Sequence, residues 1–345
     1  MRPASNTTPF STFGASGTLT SQTYCLIIGP NKRTGADLKL ETNMSPNFPT
    51  WASSIATTRF VPLIGALGIC LMLTTGAMSV QKEETLGSVQ TFELASKVFG
   101  NRRTIRVHLP PGYEATTNRD RRYPVLYLND GFAVFKATAW NAPQTVSRLI
   151  ADKSIESLIL IGIDNGACAD GGTEDQRTIE YLPYPDKKYE PTILAPRGQE
   201  YPRFLITEVM PEVTKRYRVR PGAESCGIGG ASYGGLAALY TVLHNPDVFG
   251  RLLLESTPLF MGNNGVLSDS ARSHRWPARV YIGIGTKETK DETLNRSPFM
   301  EGLRSTVVRE SPRSRVKLLV AQGASHNSAA WRARLPEALK FLWGK

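Results

Sequence analysis

Cys226-Gly227-Ile228-Gly229-Gly230-Ala231-Ser232-Tyr233-Gly234-Gly235-Leu236 runs directly into Ala237-Ala238-Leu239-Tyr240. A short apolar run, a serine between glycines and then a string of helix formers is the pattern of a strand turning sharply into a helix, with the serine on the turn. Such a turn strains the backbone and brings strand and helix so close that Gly230 and Gly234 have no room for side chains. A glycine turn that merely contains a serine would need neither the strand before it nor the helix after it.

Outward from this segment, apolar runs alternate with segments of helical period. Upstream, residues 89–94 and 104–109 read as early strands, the second followed by the turn Pro110-Pro111-Gly112-Tyr113. Residues 124–128 and 158–163 are short and apolar, as buried parallel strands are, and 142–151 between them reads as a helix. Residues 165–197 are polar and rich in Gly and Pro. In 201–217, Leu205, Val209 and Val213 share a helix face, with Pro211 predicting a kink. The strand 225–229 and helix 235–244 are followed by strands 252–255, 279–284 and 316–320 and by helices near 299–309 and 329–342. In the last helix Trp331, Leu335, Ala338 and Leu342 form one stripe. This alternation predicts an α/β fold, a mostly parallel central sheet with helices on both faces, over residues 80–345.

Residues 1–79 read differently. Positions 1–57 are rich in Ser, Thr, Asn and Pro without sustained apolar period, and 60–81 carries no charge, with Arg59 just before it. A positive residue, an apolar run over 60–72 and the small-x-small site Ala77-Met78-Ser79 predict an export signal cleaved before Val80, with Met44 as a plausible start. The same segment is long enough to remain as a membrane anchor, although Pro62, Gly65, Gly68 and Gly76 suit it poorly. Either reading puts the domain outside the cytoplasm, periplasmic or extracellular. Cys168 and Cys226 are the cysteines of that domain. They follow and precede parallel strands, which sets them about 15 Å apart across a five-residue strand, so two free thiols are expected. The chain carries a net charge of +11 but no Lys/Arg run interleaved with aromatics, so nucleic acid is not an expected partner.

A serine on such a turn becomes a nucleophile only if a base takes its proton. His108 falls within a strand, His244 closes a helix, and His274 sits in polar Ser273-His274-Arg275. His326, in Gly323-Ala324-Ser325-His326-Asn327, falls in the loop between the last strand and the last helix, at the sheet edge that carries Ser232. The acid that orients the base belongs after an intervening strand. Gly285-Thr286-Lys287-Glu288 puts Glu288 nearest the strand end, with Asp291 in reserve and Glu292 beside it. An oxyanion hole needs two backbone donors. The N–H of Tyr233 is one, and the N–H of Phe132, in Asn129-Asp130-Gly131-Phe132, is the other. Asp-Gly is also a common turn dipeptide in any fold.

With these residues assembled, the chain resembles the putative esterase family of α/β-hydrolases, which takes in feruloyl and acetyl-xylan esterases, enterochelin esterases, S-formylglutathione hydrolases and mycolyltransferases. The resemblance rests on Val125-Leu126-Tyr127-Leu128-Asn129-Asp130-Gly131, Arg177 with Glu180-Tyr181, Tyr217-Arg218, the Ser232 segment, Asn245-Pro246-Asp247-Val248-Phe249-Gly250, Gly285-Thr286-Lys287-Glu288, and His326 followed by Trp331. It implies a Ser/acid/His triad of Ser232, Glu288 and His326, no metal or cofactor, and a small-molecule or polysaccharide ester as substrate, with membrane contact only through an uncleaved 60–81 segment. Two positions depart from the pattern: Phe132 replaces a polar residue, and the acid is Glu where several relatives have Asp. Arg177 to Tyr181 resembles an Arg-x-x-Glu-Tyr element expected to form an ion pair under the active-site loop. Hydrolysis of a carboxylic ester through an acyl-enzyme is the leading expectation. Acyl transfer on the same fold and a non-catalytic binding protein are the alternatives.

Overall fold

The computed structural model describes residues 86–169, 172–186, 195–289 and 296–344. Residues 60–81, read above as an export signal or anchor, and Met44, Asp291 and Glu292 lie outside the described residues. In chain order the main elements are β1 (Ser88–Ser96), β2 (Asn101–Leu109), β3 (Val125–Asn129), α1 (Gly131–Phe135), α2 (Ala142–Ala151), β4 (Ile159–Ile163), α3 (Glu174–Tyr181), α4 (Tyr201–Phe204), α5 (Met210–Arg216), β5 (Cys226–Ala231), α6 (Tyr233–His244), β6 (Arg251–Glu255), α7 (Gly265–Arg272), β7 (Arg279–Lys287), α8 (Ser297–Glu310), β8 (Arg315–Ser325) and α9 (Ser328–Trp343).

The strands form one sheet in the order β1-β2-β4-β3-β5-β6-β7-β8. The β1–β2 and β2–β4 pairs are antiparallel and the other five are parallel. Successive strand residues serve opposite faces. Val125 and Tyr127 of β3 pack with α5, α6 and α8 residues such as Val213, Leu239 and Leu303, whereas Leu126 and Leu128 pack with Val146 of α2 and Leu339 of α9. Two apolar cores therefore clamp the sheet, and each fully buried leucine contributes roughly 2 kcal/mol to holding it. Because both faces are covered, the chain can be reached by a ligand mainly where loops leave the strand ends.

Several expectations are corrected in detail. The helix expected over 201–217 is two helices joined by a π-type turn, Leu205–Val209. Pro211 has no N–H to give the Thr207 carbonyl and its ring would collide with it, and the wider turn just ahead relieves both problems. Three helices lacked a visible signal. α1 begins with the glycine of a turn dipeptide, α3 (EDQRTIEY) is too polar to show an apolar period, and α7 is short. Neither Cys168 nor Cys226 is in a disulfide, as expected. Cys226 opens β5 and burial pushes its thiol up to about 12, while Cys168 ends a turn beyond β4. Among the described residues no helix is long and apolar enough to cross a membrane.

Candidate active site

Ser232 stands between β5 and α6 with φ 54° and ψ −131°. Positive φ on a residue with a side chain costs roughly 1–3 kcal/mol, and packing must hold it. The holding groups are evident: Ser232 N–H donates to the Glu255 carbonyl at 2.9 Å, and the Ser232 carbonyl accepts from Gly235 and Leu236 N–H at 3.0 and 3.1 Å. A Cβ on Gly230 would lie 2.6 Å from the Gly234 carbonyl carbon, and one on Gly234 would lie 2.9 Å from an Asp130 carboxylate oxygen. Both glycines are therefore required by space, as the sequence indicates, and Ser232 is left half-buried at the turn.

Glu288 follows β7 and His326 follows β8, so both leave the sheet at the edge where Ser232 leaves β5. The β7–β8 pairing changes register between Gly285 and Lys287. Such a shift re-aims the chain that follows it, here toward Glu288. Glu288 Oε2 lies 2.6 Å from His326 Nδ1. Glu288 Oε1 accepts the Gly285 N–H at 2.6 Å and the Ser256 hydroxyl at 2.8 Å. Burial works to raise the Glu288 pKa, but the His326 contact, the Gly285 N–H and the Ser256 hydroxyl outweigh it and hold the carboxyl below its ordinary range. With Nδ1 committed to Glu288, Nε2 is the ring nitrogen available to exchange a proton. The Trp331 indole meets the His326 ring edge to face, 5.2 Å between centroids. Asn327 caps α9 by accepting the Ala330 N–H at 2.9 Å, which fixes the loop end carrying His326.

The other three histidines have different surroundings. His108 is buried in β2 with Nε2 against the Leu86 carbonyl and Ser147 Oγ, and burial lowers its pKa. His244 Nδ1 meets the Tyr240 carbonyl at 3.0 Å, and exposed His274 pairs with Glu310 at 2.7 Å.

On the opposite side of Ser232 lies the loop from β3 into α1. Asp130 has φ 61°, and its carboxylate takes both Nε and Nη2 of Arg177 at 2.8 Å, together with the Asn165 amide at 2.6 Å. Asn129 donates to the Gly234 carbonyl at 2.7 Å, tying this loop to the start of α6. Arg177 also lies over the Tyr181 and Tyr233 rings. The Arg-x-x-Glu-Tyr element thus forms two ion pairs: Arg177 with Asp130, and Glu180 with Arg103 of β2 at 2.7 Å. Neighbouring Asp164 is bound by Arg106 through two 2.8 Å contacts. Burial pushes the Asp164 carboxyl up, against the lowering effect of Arg106.

Beside His326 and Glu288 opens a cleft lined by Thr257, Leu259, Phe260, Phe299 and Met300. The Arg296 guanidinium lies 3.9 Å above the Phe260 ring at its rim.

Four residues that bear on the site were not singled out from the sequence: Glu255, Ser256, Arg334 and Asp164. Glu255 and Ser256 sit at the C-terminal end of a parallel strand, a position that carries functional groups in open α/β sheets. That position was the available signal.

A family model described as "Putative esterase" matches residues 96–342. The uncharacterized protein YbbA of Bacillus subtilis is 24% identical over 254 residues, covering 71% of this chain and 94% of that protein. An endo-1,4-beta-xylanase/feruloyl esterase of Xylanibacter ruminicola is 25% identical over 268 residues, 76% of this chain but 32% of that longer protein. Among solved structures, the enterobactin esterase FES of Shigella flexneri superposes with a TM-score of 0.55 at 18% identity, covering 74% of this chain and 59% of that one. At such identity the superposition speaks for the fold, and the fold is that of the α/β-hydrolases.

Proposed function

This chain belongs to the putative esterase family, and from that premise we propose that it is a serine esterase in which Ser232, His326 and Glu288 act together. The observation that carries the reading is the 2.6 Å contact between Glu288 Oε2 and His326 Nδ1 at the sheet edge where Ser232 occupies its strained turn. In the proposed reaction Ser232 Oγ attacks the ester carbonyl carbon while His326 Nε2 takes the hydroxyl proton. Negative charge then develops on the carbonyl oxygen, toward the backbone N–H groups of Tyr233 and Phe132. His326 gives its proton to the departing alcohol, leaving an acyl-serine. Water, deprotonated by His326, attacks the acyl carbon, the bond to Ser232 Oγ breaks, and His326 returns the proton to Oγ as the acid leaves. Throughout, Glu288 holds the imidazole in one tautomer and offsets its charge when protonated.

The aromatic lining of Phe260 and Phe299 with Arg296 at the rim supports an ester whose acyl part carries an aromatic group, as in feruloylated polysaccharide or a catecholate siderophore. The apolar 60–81 segment supports export of the domain to where such substrates occur. The test is hydrolysis of p-nitrophenyl acyl esters, methyl ferulate, acetylated xylan and a ferric catecholate trilactone by the wild type and by Ser232→Ala. Turnover of at least one ester, lost in Ser232→Ala without loss of folding, is expected. Hydrolysis of none, or equal hydrolysis by the variant, would contradict the reading.

A further inference from the structure

We propose that Ser256 is a positioning residue that joins the nucleophile turn, the acid and the base, and that its hydroxyl governs how firmly Glu288 grips His326. The chemistry of the hydroxyl carries this. Ser256 Oγ has one proton and two lone pairs. Trp331 Nε1–H donates to it at 2.9 Å and Arg334 Nη2–H at 3.3 Å. Neither group can accept a hydrogen bond, so both lone pairs are used and the single proton is directed to Glu288 Oε1, 2.8 Å away. Glu288 then has three donors, Ser256, Gly285 and His326, which fix the plane of its carboxylate.

The two residues Glu255-Ser256 reach the nucleophile turn, the acid and the helix behind the base. The Glu255 carbonyl accepts the Ser232 N–H, the Glu255 carboxylate binds Arg334 at 2.7 Å, and the Ser256 hydroxyl reaches Glu288. Arg334 lies one turn along α9 from Trp331, whose ring packs on His326 and whose N–H ends on Ser256. Ser256 itself is buried with φ 48°, and its N–H donates to the Gly283 carbonyl of β7 at 2.8 Å. A strained backbone at a residue whose hydroxyl is fully used suits a positioning role better than filling space does.

The inference rests on the serine-esterase reading for its kinetic consequence, whereas the Glu288–His326 bond can be followed without turnover. Ser256→Gly removes the hydroxyl and relieves the positive φ, whereas Ser256→Ala would keep that strain while losing the hydrogen bonds that hold it. Two quantities are measured on each full-length variant: kcat and KM for p-nitrophenyl acetate, and exchange with water of the His326 Nδ1–H by low-field proton NMR, assigned with His326→Gln. In Ser256→Gly, exchange is expected to speed by about tenfold and kcat to fall by about tenfold, with KM within about twofold, as the loss of one charge-assisted hydrogen bond implies. Trp331→Phe keeps a ring on His326 but removes the N–H, and about a threefold change in the same direction is expected. A folded Ser256→Gly protein with wild-type exchange would overturn the inference, whether or not its kcat falls. A wild type without esterase activity whose exchange still speeds in Ser256→Gly would overturn the esterase reading and leave the positioning role standing.

Discussion

Two carboxylates leave the same edge of the sheet and meet different partners. Asp130 is held by a guanidinium through two 2.8 Å contacts and by an amide. Glu288 is held by an imidazole, a hydroxyl and a backbone N–H. Arginine keeps its proton at any working pH, so its pair with Asp130 fixes charge and geometry together. An imidazole can carry a proton on one ring nitrogen or on both, so the charge facing Glu288 can change while the neutral donors hold the carboxylate in place. On the proposed reading the difference separates a carboxylate that serves structure from one that orients a proton-transferring base, although both are largely buried.

The largest effect that would break this contrast is at Glu288. Glu288→Gln keeps the volume but removes the charge opposite an imidazolium, and kcat should fall about 10³–10⁴-fold with the thermal midpoint little changed. Equal kcat would remove Glu288 from the mechanism. At Asp130 the opposite balance is expected. Arg177→Met leaves a buried carboxylate without its cation and should destabilise the fold by about 3 kcal/mol in denaturant melts. The surviving folded fraction should retain most of its kcat, and a collapse of kcat in fully folded protein would place Arg177 at the reacting atoms instead.

A smaller effect comes from Glu255, the buried carboxylate behind both strands. Burial pushes it up to about 7 even with Arg334 opposite, against an ordinary value of 4.5. The folded state therefore keeps a proton that the unfolded chain has released, so this group favours folding most below 4.5, and that contribution is lost as pH rises to about 7. Glu288 has the opposite sign: its depressed pKa favours folding above 4.5, and that contribution disappears as pH falls through the folded value. Glu255→Gln should flatten the decline of Tm between about pH 5 and 7. A slope equal to the wild type's would assign the titration to another group. The smallest expected effect is at exposed His274, whose pair with Glu310 is open to solvent. His274→Gln should leave kcat within about twofold, and a larger loss would mean that the base had been misassigned.

How far the sequence reaches follows from the same contrast. The turn at Ser232 is legible because Gly230 and Gly234 are demanded by local space, and His326 and Glu288 because strand ends succeed one another in a fixed order along the chain. Strand and helix positions were readable where apolar period is strong, as in α2 and α9, and less so where polar α3 carries Arg177. Partner choice is another matter. Arg177 and Glu180 look like one local element, yet their carboxylate and guanidinium partners, Asp130 and Arg103, come from the loop after β3 and from β2. Ser256 gave no signal beyond its place after β6, because a serine's role there depends on which donors α9 brings to it. Long-range hydrogen bonding is set by packing, and packing is not written in any single segment.

The central claim is that Ser232 is the nucleophile, and covalent capture tests it most directly. The full chain is incubated with a fluorophosphonate and the modified peptide is located by mass spectrometry, with His326→Gln alongside. The account predicts one phosphonyl adduct, on Ser232, formed far more slowly when His326 is absent. Folded protein that forms no adduct, or carries it on another residue, would contradict it.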